Sequence, residues 1–111
     1  HPLALCDGQD VEPEDLVVFE IHMPDRVGEN YWSKYDARHT FYCYPQMQNS
    51  EALLIKQWDS AGGLATSNGE RADHAASGPC TFSFHSAFYD LQTPDDAPDR
   101  WSIEVRCVVL Y

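Results

Sequence analysis

Four short stretches rich in β-branched and aromatic residues constrain this chain most: 39–44 (HTFYCY), 52–58 (ALLIKQW), 80–88 (CTFSFHSAF) and 101–110 (WSIEVRCVVL). Such residues suit a pleated, half-buried surface, so each stretch is predicted to be a strand. In the last of them Trp101, Ile103, Val105 and Cys107 alternate, which places them on one face, turned inward. Residues 59–79 form a Gly/Ala/Ser-rich connection longer than the usual loop, and 91–100 (LQTPDDAPDR) is a second turn-rich segment. There is no internal repeat and no low-complexity tract.

The segment before these strands reads two ways. In 10–24 (DVEPEDLVVFEIHMP), Val17, Phe19, Ile21 and Met23 alternate as in a strand, while Leu16, Phe19, Glu20 and Met23 have helical spacing. Local propensity favours the strand. Against it, Asp10 is a possible cap, Glu12, Pro13, Glu14 and Asp15 crowd what would be a first helical turn, and Pro24 ends the run. Pattern alone leaves both open.

A chain of 111 residues with 43% hydrophobic content suits one core rather than two, so 1–111 is read as a single domain. No apolar run approaches the ~20 residues that span a bilayer, and no basic leader precedes an apolar stretch; a soluble chain with any signal peptide already removed is expected. Cys6, Cys43, Cys80 and Cys107 are widely spaced and form no CxxC pair, which favours disulfides over zinc. Three pairings are possible. Cys6–Cys107 with Cys43–Cys80 is preferred because the first would tie the chain ends, stabilising by about 2–4 kcal/mol. Disulfides in turn imply an oxidising compartment and secretion. A net charge of −11 argues against a DNA-binding stripe. No Asn-x-Ser/Thr acceptor occurs.

The stretch Val27, Gly28, Asn30, Tyr31, Trp32, Ser33, Lys34, Tyr35 resembles a Val-Gly-x-Asn-x-Tyr-Pro-His-x-Tyr segment. That segment belongs to the small extracellular guanyl-specific ribonucleases of filamentous fungi. In order along the chain, Glu51 falls at that family's catalytic glutamate, Gly62 and Gly63 at its paired glycines, Arg71 at its arginine and His85 at its second histidine. Cys6 and Cys107 look like its long-range disulfide. The resemblance implies an α+β fold: one N-terminal helix over 12–23 packed on an antiparallel sheet and stapled by disulfides. An all-β sandwich or barrel is the alternative if 16–23 is a strand.

Attack of a ribose 2′-hydroxyl on its own phosphate needs a base, an acid for the leaving oxygen and a cation. The resemblance assigns these to Glu51, His85 and Arg71, with Tyr31, Ser33, Lys34, Tyr35 and His39 lining the substrate site. It also shows two departures. The first catalytic histidine falls on Ser33, and the carboxylate that reads guanine falls on His39, whose ring cannot act as a bidentate acceptor. Those losses resemble secreted fungal effectors on a ribonuclease scaffold. The expectation is a monomeric binding protein for RNA or a host protein, with little or no turnover, no cofactor, no membrane and no DNA partner, acting outside the cell or in a plant host. The enzymatic alternative is an endoribonuclease forming 2′,3′-cyclic phosphates with altered base preference.

A further alternative is copper binding by His1 through its amine and ring, with His22, His39, His74 or His85 completing the site. Serine-triad chemistry is set aside because no Gly-x-Ser-x-Gly elbow exists, and calcium because Asp95, Asp96 and Asp99 lack the spacing of a calcium loop.

Overall fold

The computed structural model describes residues 1–59 and 80–110. Their regular structure consists of five strands, β1 (Leu3–Cys6), β2 (Leu16–His22), β3 (Val27–Ser33), β4 (Phe41–Cys43) and β5 (His85–Ala87), and two single 3-10 turns, Gly8–Asp10 and Pro13–Asp15. Two small antiparallel sheets result: β1 lies between β4 and β5, and β2 pairs with β3 alone. The expected α+β fold is thereby corrected, since no helix covers 12–23.

The reason lies in how far the first-turn signals reach. Pro13 opens a turn in which Asp15 Oδ2 reaches back to accept from the Glu12 N–H at 2.9 Å, and the Asp15 N–H donates to Glu12 O at 3.0 Å. These are the signals that suggested a helix, and they serve one turn only. From Leu16 onward Val17, Val18, Phe19 and Ile21 lose side-chain freedom in a helix and gain cross-strand neighbours in a sheet. Residues Leu16 to His22 therefore pair with Ser33 to Val27, one to one. The four residues 23–26 make the connection, closed by Met23 N–H donating to Arg26 O at 2.8 Å. The Phe19 and Trp32 rings meet diagonally across this hairpin, their centroids 4.5 Å apart.

Of the strands expected downstream, 39–44 and 80–88 contribute β4 and β5, but 52–58 and 101–110 form no strand among the described residues. Ser83 N–H donates to Lys56 O at 3.0 Å, which ties the 52–58 segment to the residues before β5.

The core is small: Cys6, Val11, Cys80 and Phe82 are buried, with Leu16, Tyr31 and Phe84 packed around them. Phe82 joins two ring contacts, with Tyr31 at 5.1 Å and edge-on with Phe84 at 5.6 Å. Ser83 Oγ donates to Cys6 O at 2.7 Å, and Cys6 N–H donates to Phe84 O at 2.8 Å, locking 82–84 onto the end of β1. Gly8 lets this approach happen, because a Cβ there would lie 3.0 Å from Cys80 O and 3.2 Å from Phe82 O.

The expected disulfides are absent. All four cysteines are free thiols, with Cys6 and Cys80 buried in the core and Cys43 and Cys107 exposed. Cys43 instead faces Ala4 across the β1–β4 pair, and Cys107 lies in the unpaired 101–110 segment. The cysteines thus give no support to an oxidising compartment.

Candidate functional site

The most constrained polar group is the Asp15 carboxylate, the one buried charged side chain among the described residues. It sits where the Pro13–Asp15 turn meets β2, and its backbone carbonyl accepts from Lys34 N–H at 2.8 Å, just past the end of β3. Two side chains from the following turn come to it. His39 Nε2 is 3.0 Å from Asp15 Oδ2, and the Arg38 guanidinium donates to the same oxygen through Nη2. The His39 ring is 4% exposed and the Asp15 side chain 7%. Water therefore barely reaches the contact.

Residues 36–40 are clamped from several sides. Arg38 N–H donates to Asp36 Oδ1 at 2.9 Å, Arg38 Nη1 pairs with Asp36 Oδ2 at 2.7 Å, and Arg38 Nε donates to Asp10 O at 3.0 Å. Thr40 N–H donates to Asp10 Oδ2 at 3.0 Å, and Asp7 N–H donates to Thr40 O at 2.9 Å. His39 is thus held in place by its neighbours as much as by Asp15.

Burial by itself would push the Asp15 carboxyl up. The hydrogen bonds from Glu12 N–H, His39 and Arg38, with the Arg38 charge, outweigh burial and hold it below its usual range. The ionised carboxylate in turn raises Arg38, chiefly through their hydrogen bond. The ionised Asp15 Oδ2 accepts from Nε2 of His39, which fixes the orientation of the ring.

The residues singled out from sequence fare differently. His39 enters this cluster. Ser33 and Lys34 adjoin it through the backbone, Ser33 Oγ donating to Lys34 O at 2.9 Å, while Tyr31 packs into the core and Tyr35 is exposed. Glu51 closes a local turn, its carboxylate accepting from Gln48 N–H at 2.7 Å. His85 is exposed on β5 opposite Leu5, with Nδ1 3.5 Å from Ser83 O. No hydrogen bond or ion pair joins Glu51 to His85 among the described residues. Arg71, Gly62, Gly63, Ser60, His74 and nearly all of the 59–79 connection lie outside the described residues. Asp15 and Arg38 were missed. No spacing signal links Asp15 to residues 23 and 24 positions later, and only the fold brings them together.

A carboxylate–histidine pair buried in a strand-built domain is a common device of enzymes and metal sites alike. Residues 1–110 match the family described as oxidoreductase/YMDC permease-like domain, and the chain belongs to it. Among its relatives is the hydroxylase/desaturase poxK of Penicillium oxalicum, 32% identical over 97% of this chain and 37% of the relative. The alpha-ketoglutarate-dependent dioxygenase tstK of Talaromyces stipitatus is 33% identical over 99% of this chain and 35% of its own length. The Fe(II)/2-oxoglutarate-dependent dioxygenase nvfI of Aspergillus novofumigatus is 27% identical over 97% and 34%. The chain spans about a third of the length of these relatives. No solved structure matches it.

These findings correct the ribonuclease resemblance. The family is an oxidoreductase family, so the reading as an RNA-binding effector and the endoribonuclease alternative fall with it. The name of nvfI carries iron(II) and 2-oxoglutarate, that of tstK alpha-ketoglutarate, and in this chain the His1 ring packs beside Tyr89 at 5.8 Å. An iron centre of this kind takes two histidines and a carboxylate. Among the described residues no three His, Cys, Asp or Glu side chains converge as such a site, and Asp15 Oδ2 is already occupied by three donors. The described residues do not fit the metal on their own.

Proposed function

We propose that this chain forms part of an oxidative enzyme of the hydroxylase/desaturase type. One observation carries the reading, the match of residues 1–110 to an oxidoreductase family. The relatives' names agree with it. Within that reading the Asp15–His39 pair is the chain's proton-handling element. Asp15 fixes the orientation of the ring, and Arg38 helps to keep Asp15 ionised.

The test is oxidative turnover. Because the described residues do not hold the metal alone, the enzyme that contains this chain is supplied with iron(II), ascorbate, oxygen and 2-oxoglutarate, and succinate release and oxygen uptake are followed beside His39→Ala. Turnover above a protein-free control that falls in His39→Ala supports the reading. No succinate and no oxygen uptake in the wild type overturns it for this chain.

A further inference from the structure

Residues 101–110 belong to no helix or strand among the described residues and are exposed along their whole length. Trp101 is 92% exposed, Ile103 95% and Val105 81%, and Val108, Val109 and Leu110 are similarly open. An apolar segment of β-forming residues with its backbone donors and acceptors unpaired is a template for strand pairing. Its own charges select the partner strand.

Only two residues of the segment carry charge, Glu104 and Arg106, and they flank Val105. We propose that two copies of this chain associate by antiparallel pairing of 101–110, in the register that sets Val105 opposite Val105. In that register Glu104 of each copy stands opposite Arg106 of the other, twice over. On the other face Trp101 meets Val109 and Ile103 meets Cys107, so the apolar row is continuous. The alternatives are worse. Parallel in-register pairing stacks Glu104 on Glu104 and Arg106 on Arg106, and antiparallel registers centred on residue 104 or 106 set one like pair face to face. The arrangement is two-fold symmetric and therefore closes at two copies.

One effect opposes it. Each chain carries a net charge of −11, which repels a second copy at long range. At physiological ionic strength that repulsion is screened beyond about 8 Å, whereas the apolar row and the crossed ion pairs act in contact. A weak, concentration-dependent dimer is the result.

Sedimentation equilibrium of the whole chain through the micromolar range tests this. A mass rising from one chain toward two is expected, with Glu104→Arg weakening association about tenfold. The double change Glu104→Arg with Arg106→Glu restores it, because the pair is only reversed. Register is read separately: with Cys43 and Cys107 replaced by Ser, Val105→Cys forms a disulfide-linked dimer under mild oxidation, whereas Ser102→Cys does not. A single-chain mass at every concentration overturns the proposal. So does a dimer indifferent to Glu104→Arg, or one that cross-links at residue 102 and not at 105.

Discussion

The ring of His39 lies 3.0 Å from the carboxylate of Asp15, a residue 24 positions earlier, and both side chains are almost wholly removed from water. Removing the charge of Asp15 leaves Arg38 and His39 without the anionic acceptor they share. Asp15→Asn is expected to cost about 2–4 kcal/mol, less than a fully enclosed pair because Arg38 is partly exposed. Urea unfolding with an unchanged m-value measures it. In the turnover assay the same variant is expected to lose about 10–100-fold, the usual cost of removing the carboxylate that orients a functional histidine.

The acid limb of stability carries the same signature. Asp15 is held below its ordinary range in the folded chain, so as pH falls the unfolded chain takes up its proton first. Its contribution is present in full above about pH 3.9, the unfolded value, and is lost as pH drops through the folded one. The stability gap between wild type and Asp15→Asn is therefore expected to be constant near neutrality and to shrink below about pH 4. A gap that widens in acid contradicts the assignment.

Four free thiols in two environments make a chemical prediction. Burial raises both Cys6 and Cys80, with nearby acids adding to the effect at Cys6. Cys43 and Cys107 are exposed. Thiol titration at neutral pH is expected to show two fast-reacting groups, with the other two appearing only in denaturant. Mass spectrometry without reductant should find no internal disulfide.

Gly8 tests how tightly the 80–84 segment sits on the turn after β1. The atoms a Cβ would meet are backbone carbonyls at 3.0 and 3.2 Å, which cannot swing aside as a side chain can. Gly8→Ala is expected to destabilise by about 1–3 kcal/mol, read as a lower midpoint in urea. Gly28→Ala is a useful contrast, since its neighbour is the mobile end of Met23 at 3.2 Å, and a smaller loss is expected.

Local chemistry written in the sequence survives in the structure where it needs few partners. The β-branched run at Leu16–His22, the turn at 23–26 and the acid-and-proline start at 12–15 all act over a few residues, and each operates as its residue types dictate. Which of them wins a contested segment is not local. The turn signals before Leu16 suggest a helix until Val27–Ser33 supplies a full row of hydrogen-bonding partners, and that strand was read from sequence as a catalytic segment. The sites divide in the same way. His39 was visible as a residue type that could bind or react, but Asp15 and Arg38 gain meaning only from a contact across more than twenty residues. Order along the chain suggested Glu51 and His85, yet one carboxylate is used by its own turn and the other ring lies on an exposed strand. The sequence by itself determined the acidic charge and the strand-forming character of the segments that hold Phe41–Cys43 and His85–Ala87. Tertiary structure decided which segments find partners, which thiols are buried and where a carboxylate is withdrawn from water, because pairing and desolvation depend on residues that spacing along the chain does not bring together.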